Sequence, residues 1–203
     1  MPAENLPLWS PPAELKDHSN LRRYMRWLAE QKGLSFEQYR ELHQWSTDHL
    51  AEFWETIWQF FGVQSGSAYR EVLHRPAEGM IGTRWFDGAT VSYARHIFRH
   101  ATQERPAIIA GSERGQTREV SWQELENQVA SIAQWLRQQG LGQGDRVAAI
   151  MPNIPEAIAA FLAVNSIGAV WSSCSPDFGE ASIVDRFRQI EPKVVFISDG
   201  YTY

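Results

Sequence analysis

Residues 146–174 read RVAAIMPNIPEAIAAFLAVNSIGAVWSSC, in which short apolar runs flank a longer helical pattern. The run at 146–150 has the length and apolar character of a buried strand. Pro155 suits the first turn of a helix that runs to about Ser166. Residues 169–173 predict a second strand. A strand, a helix and a strand in this order predict a right-handed crossover between parallel strands.

The same alternation continues on both sides of this stretch. Ser121 and Glu124 have the spacing of a capping box. The apolar residues that follow share one helix face, and Gly140 ends that helix. These apolar residues are Leu125, Val129, Ile132 and Leu136. A further helix is predicted at 182–190 and a third strand at 193–198. The predicted fold class is therefore α/β, the first part of a doubly wound, mainly parallel sheet.

The pattern is weaker in the region before this alternation. The apolar run 107–110 and residues 117–120 are separated by a glycine-bounded turn at 111–115, which predicts a β-hairpin. Residues 93–101 predict a short helix. The glycine-bounded run 82–88 is typical of a loop.

Residues 1–62 have a helical pattern and contain five of the nine tryptophans. One helix is predicted up to Gly33, because apolar residues recur at helical spacing before it. These residues are Leu21, Tyr24, Met25 and Leu28. Ser35 and Gln38 have the spacing of a capping box for the next helix. A later apolar face ends at Gly62 and consists of Leu50, Trp54, Ile57 and Phe61. Such aromatic faces predict packing against a larger body.

Composition excludes several classes of function. The chain has 203 residues, a net charge of -5 and a single cysteine, Cys174. This charge gives no general attraction to nucleic acids or anionic membranes. A single cysteine excludes an internal disulfide, so a reducing cytoplasm is the expected location. Residues 1–20 do not resemble a signal peptide, and the apolar stretch at 157–171 is shorter than a membrane span.

Three candidate motifs are better explained by structure than by chemistry. Gly140 to Gly144 follows a helix and precedes a strand, whereas a dinucleotide-binding loop follows a strand. His96 and His100 lie one turn apart on a predicted helix, but the glutamate of the zinc protease motif is missing between them. Cys174 has no histidine near it in sequence and is expected to be a buried thiol. We therefore predict no metal site.

The segment that follows the second parallel strand leaves two interpretations open. Its residues are Ser175, Pro176, Asp177, Phe178 and Gly179. Parallel sheets bind ligands outside the carboxyl ends of their strands, which favours a loop that lines a ligand site. Alternatively, Pro176 fits an early helical turn, Asp177 caps the helix that begins near Gly179, and Phe178 is a packing residue.

An ordered series of motifs over some sixty residues resembles the adenylate-forming superfamily of acyl-CoA synthetases. The motifs are Gly144-Asp-Arg-Val147, Met151-Pro-Asn-Ile-Pro-Glu156, Ala163 to Ala169, Asp185-Arg186, and Pro192-Lys193-Val194 to Asp199. Segments from Pro7 to Trp9 and from Ser35 to Ser46 are similar to the helical extension of its acetyl-CoA synthetase-like branch. Trp85-Phe86 and Tyr93-Ala94 are similar to another motif of that branch, in which Ser92 replaces the usual asparagine. The loop 171–179 is most similar to members that activate acetoacetate.

This resemblance implies a function and a division into domains. The implied segments are a helical extension at 1–62, a connecting segment at 63–105 and the beginning of an AMP-binding adenylation domain at 106–203. The implied reaction joins acetoacetate to coenzyme A through an acyl-adenylate, with ATP and Mg²⁺ required. Residues 175–179 are then expected to line the acyl or pantetheine channel. Asp177 is expected to help select acetoacetate over acetate. Gly200, Tyr201, Thr202 and Tyr203 begin the implied CoA loop.

Members of this superfamily are much longer than 203 residues. Their phosphate-binding loop, adenine-binding motifs and adenylation lysine have no counterpart in this sequence. We therefore expect an N-terminal fragment that has no catalytic residue of its own, is inactive alone and binds no cofactor firmly. Its expected partners are the small-molecule substrates and the rest of the enzyme, with no nucleic acid and no membrane. Two alternatives remain open: another short-chain acyl-CoA synthetase, specific for acetate or propionate, and a truncated, non-catalytic interaction module.

Overall fold

A computed structural model describes residues 9–77, 79–112 and 115–200. The chain divides into two compact units, residues 1–90 and residues 91–203. In the part of the chain that the structure describes, no helix combines the length and the apolar character needed to cross a membrane.

The described residues of the first unit form four helices followed by a β-hairpin. Its elements are α1 (Ala13–Asp17), α2 (Asn20–Lys32), α3 (Tyr39–Asp48), α4 (Leu50–Phe60), β1 (Glu71–His74) and β2 (Arg84–Asp87). Ser19 caps α2 by accepting a hydrogen bond from the backbone N–H of Arg22, and Gly33 ends the helix with a left-handed φ of 68°. This confirms the predicted stop at Gly33. The core of the unit consists of Tyr24, Met25, Leu28 and Leu42.

Helix α4 carries aromatic side chains on two faces. Phe53 and Phe60 pack against the Tyr24 ring, with centroids at 6.4 and 5.1 Å. On another face, Trp58 packs against Phe86 of β2 at 4.3 Å. The predicted single face was therefore wrong in detail: the side chain of Trp54, at 41% exposure, lies outside the helical core. The abundance of aromatic residues arises because α4 packs against both the helices and the hairpin.

The capping box of α3 lies three residues later than predicted. Gln38, and not Ser35, is the N-cap, and its partner is Glu41. The Glu41 carboxylate accepts hydrogen bonds from the backbone N–H groups of Gln38 and Glu37 at 3.0 and 2.7 Å, which lowers the pKa of this carboxyl group. The prediction failed because Ser35 precedes the first turn of the helix, where its hydroxyl cannot reach the free N–H groups.

The glycine-bounded run 82–88 is a strand rather than the predicted loop. Its central residues form β2, which pairs antiparallel with β1. Gly82 and Gly88 flank the strand with φ of 85° and 91°, so the glycines mark the two bends around it. Asp87 forms ion pairs with Arg70 at 2.7 Å and with Arg84 at 3.2 Å.

In the second unit, the described residues form a hairpin, a three-stranded parallel sheet and four helices. Its elements are α5 (Tyr93–Phe98), β3 (Ile108–Gly111), β4 (Thr117–Val120), α6 (Trp122–Gln138), β5 (Arg146–Ile150), α7 (Pro155–Ser166), β6 (Val170–Cys174), α8 (Glu180–Ile190) and β7 (Val194–Ile197). The predicted hairpin is confirmed, since β3 and β4 pair antiparallel. The predicted parallel sheet is also confirmed, with the strand order β6-β5-β7.

The middle strand β5 forms the centre of this unit. Val147, Ala148 and Ala149 are completely buried. Val147 packs with Leu136 of α6 and Val164 of α7, which cover one face of the sheet. The chain moves from β5 to β6 and then back past β5 to β7. Right-handed crossovers therefore carry α7 and α8 over opposite faces.

The opposite face of the sheet is more open. None of the eleven residues of α8 is buried. Val195 and Ile197 of β7 are 39% and 67% exposed. Within the described residues, β6 and β7 are the two edges of the sheet. The structure divides the chain into compact units at residue 90. The division into three segments at residues 62 and 105 stays a prediction.

Candidate functional site

The carboxyl ends of the three parallel strands are level with one another. Ile150 of β5 is in register with both Cys174 of β6 and Ile197 of β7. The ladder continues one residue further, because the N–H of Met151 donates to Cys174 at 3.3 Å and that of Ser198 donates to Ile150 at 3.1 Å. Three loops, at 151–154, 175–179 and 198–200, therefore leave the sheet at one edge. A parallel sheet places ligands at this edge.

The loop 175–179 is a tight turn with internal hydrogen bonds. The N–H of Phe178 donates to the carbonyl of Ser175 at 3.2 Å, and Pro176 occupies the second turn position. The Ser175 hydroxyl donates to Oδ2 of Asp177 at 2.7 Å, and the Asp177 N–H donates back to Ser175 Oγ at 3.3 Å. The N-cap of α8 is Gly179, two residues beyond Asp177. This loop therefore presents a carboxylate and a hydroxyl in a defined mutual orientation.

Phe178 follows Asp177 in this turn and contacts a cation. The guanidinium carbon of Arg186, on α8, lies 4.8 Å from the centre of the Phe178 ring. The Phe178 side chain remains 42% exposed. In an exposed position such a contact is worth about 0.5–1 kcal/mol. Phe178 therefore packs on an arginine of the following helix, and the contact holds the loop against α8.

The third loop begins at the end of β7. The Ser198 hydroxyl donates to the carbonyl of Gly200 at 2.9 Å. Gly200 is the first residue of the predicted CoA loop. The other three, Tyr201, Thr202 and Tyr203, lie outside the described residues. The structure thus brings the start of this loop to the same edge of the sheet as residues 175–179.

An arginine that the sequence analysis missed connects this edge to the hairpin. Arg118 of β4 donates to Glu156 at 2.8 Å and to Glu124 at 2.9 Å. Glu156 belongs to the first turn of α7, immediately after the loop 151–154. Both hydrogen bonds raise the pKa of the Arg118 guanidinium, with Glu156 the larger cause. The only local signal was the glutamate of the Pro-Asn-x-x-Glu motif, which does not indicate its partner.

Of the two hydrogen bonds of the predicted capping box of α6, the one to the Ser121 side chain is present. Ser121 accepts from the backbone N–H of Glu124 at 3.1 Å, as predicted. The Glu124 carboxylate accepts instead from Arg118 and, at 3.3 Å, from Gln128. The carboxylate is thereby committed to the contact between the hairpin and the helices.

The amino ends of the strands contain the glycine-rich segment 140–144. Gly142 donates its N–H to Asp145 at 2.9 Å, and Lys193 pairs with the same carboxylate at 2.5 Å. These contacts lie at the edge of the sheet opposite to the candidate site. They agree with the structural interpretation of this segment.

Cys174 is buried, as predicted, and the rings of His96 and His100 lie close to each other. Cys174 is 6% exposed and its thiol donates to the Ala149 carbonyl at 3.8 Å. His96 and His100 have ring centroids 6.1 Å apart. Burial, followed by the neighbouring Arg99 and His100, lowers the pKa of His96. Across residues 9–77, 79–112 and 115–200, no group of three or more histidine, cysteine, aspartate or glutamate side chains has the arrangement of a metal site.

A separate hollow of about 690 Å³ lies between the segment 101–106 and the first turn of α6. Its walls carry Glu104, Glu119, Glu124, Glu126 and Arg105. None of the predicted site residues lines it. The carboxyl edge of the sheet is therefore the candidate functional site, because a parallel sheet binds its ligands outside the carboxyl ends of its strands.

Comparison with known proteins defines the class of this chain. Residues 97–202 match the model of the AMP-binding enzyme family, and residues 39–97 match the acetyl-coenzyme A synthetase N-terminus. The chain belongs to the AMP-binding enzyme family.

Several individual relatives are acetoacetyl-CoA synthetases. The protein of that name from Rhizobium meliloti (strain 1021) is 40% identical over 197 residues, which cover 97% of this chain and 30% of the relative. The one from Danio rerio is 37% identical over 98% of this chain and 30% of its own length. The solved structure of acetoacetyl-CoA synthetase from Streptomyces lividans superposes with a TM-score of 0.92 at 42% identity, over 98% of this chain and 31% of that structure. The chain thus spans about a third of the length of these relatives.

Proposed function

We propose that this chain is the N-terminal portion of an ATP-dependent ligase that joins acetoacetate to coenzyme A. The observation that carries the proposal is the likeness to acetoacetyl-CoA synthetases over 97% of the chain. This likeness includes both the helical unit and the parallel sheet, with a TM-score of 0.92 over 98% of the chain. A match limited to the sheet would support a nucleotide-binding fold in general, whereas this one includes the N-terminal helices as well.

The proposed reaction has two steps. The carboxylate of acetoacetate attacks the α-phosphorus of ATP, which forms acetoacetyl-adenylate and releases pyrophosphate. The thiol of coenzyme A then attacks the activated carbonyl and displaces AMP. Both steps depend on positioning and on stabilisation of the developing charge. We assign no catalytic acid, base or nucleophile to this chain, whose proposed contribution is to shape the acyl and CoA sites.

Within this proposal, residues 175–179 line the acyl or pantetheine channel and Asp177 helps to select acetoacetate. Acetoacetate differs from acetate by a 3-oxo group, which accepts hydrogen bonds. The Ser175 hydroxyl is a donor in this loop, and its hydrogen points to Asp177 at 2.7 Å. Asp177 therefore sets the direction of the hydroxyl, and because a hydroxyl has one hydrogen, Ser175 donates to the 3-oxo group only when that hydrogen turns from Asp177 to the substrate. Gly200 to Tyr203 begin the proposed CoA loop.

The cofactors of the whole protein are part of the same proposal. ATP and coenzyme A are the proposed co-substrates, and Mg²⁺ the proposed metal. In the described residues, histidine, cysteine, aspartate and glutamate side chains form no group of three or more that could hold a metal ion. The proposed partners are these small molecules and the remaining part of the enzyme, and the proposed location is the cytoplasm.

The test is an activity assay on the complete reading frame that contains these residues. We expect AMP and acetoacetyl-CoA to form in equal amounts when acetoacetate, ATP, Mg²⁺ and coenzyme A are all present. Acetate and propionate serve as the competing acids, because the match of residues 39–97 to an acetyl-coenzyme A synthetase N-terminus favours them as the second candidates. A higher kcat/KM for acetate or propionate would replace acetoacetate as the substrate. No AMP formation with any of the three acids would reject the ligase proposal.

A further inference from the structure

Arg118 connects three elements of the second unit through one guanidinium group. Its Nη1 atom lies 2.8 Å from Glu156, in the first turn of α7. Its Nη2 atom lies 2.9 Å from Glu124, in the first turn of α6. Arg118 itself belongs to β4 of the hairpin. Two separate donors of the guanidinium thus engage two carboxylates, which a single lysine ammonium cannot reproduce with the same geometry.

The two helices that Arg118 joins begin differently. Helix α6 has a hydroxyl cap, since Ser121 accepts from the backbone N–H of Glu124 at 3.1 Å. The N-cap of α7 is Ile154, whose side chain contains no polar atom and cannot cap the helix. A helix start without a side-chain cap is prone to fraying. The hydrogen bond from Arg118 to Glu156 therefore fastens the end of α7 that has the weaker local support.

The start of α7 determines where the loop 151–154 lies. This loop runs from the end of the central strand β5 directly into Pro155, the buried first residue of α7. It is short and internally bonded, because the N–H of Ile154 donates to Pro152 at 2.9 Å. Since β5 lies between β6 and β7, the loop leaves the sheet between 175–179 and 198–200. A shift of the first turn of α7 is therefore transmitted to the middle of the candidate site.

Global stability does not depend strongly on this contact. The side chains of Arg118, Glu124 and Glu156 are 51%, 43% and 48% exposed. Ion pairs at such exposure contribute little to the folding free energy. The body of α7 is anchored elsewhere, by buried residues such as Ala159, Ala163 and Val164. Loss of the bridge should therefore loosen the start of α7 while the rest of the helix stays in place.

We propose that Arg118 is a positioning residue, which holds the loop 151–154 in the conformation that binds the acyl or CoA substrate by bridging Glu124 and Glu156. The proposal rests on the proposed function for the identity of those substrates. Arg118 touches no reacting atom in this account and acts through Glu156. The raised pKa of its guanidinium agrees with the two carboxylate contacts.

The first test measures steady-state kinetics of the complete enzyme with Arg118→Gln, Glu156→Gln and the double variant. We expect Arg118→Gln to raise the KM for acetoacetate or coenzyme A about fivefold to tenfold, because misplacement of an orienting segment weakens binding. The KM for ATP should stay unchanged. The double variant should be no worse than either single variant, since the two residues act as one unit. Arg118→Lys should recover part of the loss, because one carboxylate contact remains available.

Two control variants separate positioning from general damage. Arg137→Gln removes an arginine from the last turn of α6, for which the described residues show no ion pair, and should leave every KM unchanged. Asp145→Asn weakens the opposite edge of the sheet and should lower Tm with little effect on KM. Unchanged KM values in Arg118→Gln, or a fall in kcat that only follows a lower Tm, would overturn the proposal. So would additive effects in the double variant.

The second test does not depend on the substrate. Hydrogen exchange of the complete protein should show faster exchange at 151–157 in Arg118→Gln, with unchanged protection at 146–150. Equal exchange at 151–157 in Arg118→Gln and wild type would contradict the inference. If the wild-type enzyme does not convert acetoacetate, but Arg118→Gln still exchanges faster than wild type at 151–157, the proposed substrate is rejected. Arg118 is then retained as a positioning residue.

Discussion

The ammonium group of Lys193 lies 2.5 Å from the Oδ1 atom of Asp145. Asp145 immediately precedes β5, and Lys193 immediately precedes β7. The same carboxylate accepts the N–H of Gly142 at 2.9 Å. One carboxylate thus ties together the turn before β5 and the start of a neighbouring strand. This junction closes the amino edge of the sheet, opposite to the candidate site.

The acid stability of the chain should depend on Asp145. The hydrogen bond from Lys193, followed by that from Gly142, lowers the pKa of this carboxyl group. A lowered pKa stabilises the fold above the unfolded pKa of about 3.9, and this stabilisation is lost as the pH falls through the folded pKa. We therefore expect Asp145→Asn to lower Tm at neutral pH, and the difference from wild type to shrink below about pH 4. The measurement is the Tm of both proteins at a series of pH values, with thermal unfolding monitored by circular dichroism.

The control for Asp145 is Glu126→Gln, which removes one exposed negative charge from α6. Its Tm should follow that of wild type at every pH. An Asp145→Asn difference that stays constant down to the lowest pH would show that the carboxylate is not the group involved.

Substrate selection should depend on the turn at 175–179 if the proposed function holds. In the complete enzyme, we expect Asp177→Gly to change the preference for acetoacetate over acetate by up to about tenfold, roughly the value of one hydrogen bond, because the Ser175 hydroxyl loses the carboxylate that orients it. Ser175→Ala removes the hydroxyl hydrogen and keeps the carboxylate, so it should lower the preference for acetoacetate if that hydrogen turns from Asp177 to the 3-oxo group when the substrate binds. The measurement is the ratio of kcat/KM for the two acids. An unchanged ratio in both variants, with intact folding, would leave the loop a structural role only.

The contact between Phe178 and Arg186 should be detectable as a coupling energy. A double-mutant cycle of Phe178→Leu and Arg186→Gln on the chain should give about 0.5–1 kcal/mol, because Leu preserves the apolar contact and removes the π-face. The free energy of unfolding in urea provides the four values. Arg188 lies two residues after Arg186 on the same helix. Arg188→Gln is therefore the matched control and should show no coupling to Phe178. Zero coupling for Arg186 would mean that the two side chains are neighbours without a mutual preference.

The helical unit contains a buried hydrogen bond whose loss should be costly. The Thr56 hydroxyl donates to the Phe53 carbonyl at 2.7 Å, so the Tyr24 hydroxyl is the donor in its 2.6 Å contact with Thr56. Thr56→Val preserves shape but leaves the Tyr24 hydroxyl without its acceptor, which should cost about 1–3 kcal/mol in urea unfolding. Adding Tyr24→Phe should recover much of that loss, because no buried hydroxyl then remains. A double variant as unstable as Thr56→Val alone would contradict this account.

Much of the second unit was predictable because its signals are local. The run 147–150 is apolar throughout, and Pro155 marks the start of α7 within the same short stretch. The strand 84–87 was missed because its identity depends on pairing with residues 71–74, whose register no local pattern reveals. Arg118 was missed for the same reason, since its partner Glu156 lies 38 residues away. At the site, the strand-end position of 175–179 was predictable, whereas the bond between Ser175 and Asp177 required coordinates.

The strand order also has a consequence for how the chain folds as it is synthesised. Val147 is in register with Trp171 on one side and Val194 on the other. Because Trp171 precedes Val194 along the chain, β6 is synthesised, and can pair with the central strand, before β7. The chain between β5 and β7 is longer than the chain between β5 and β6. Loop closure costs only about 0.6 kcal/mol more for each doubling of length, so loop-closure entropy hardly favours one pairing over the other. Emergence from the ribosome decides the order instead. One side of β5 must wait with unpaired backbone groups while α8 is made, and this interval is when the nascent chain is most exposed to wrong pairing.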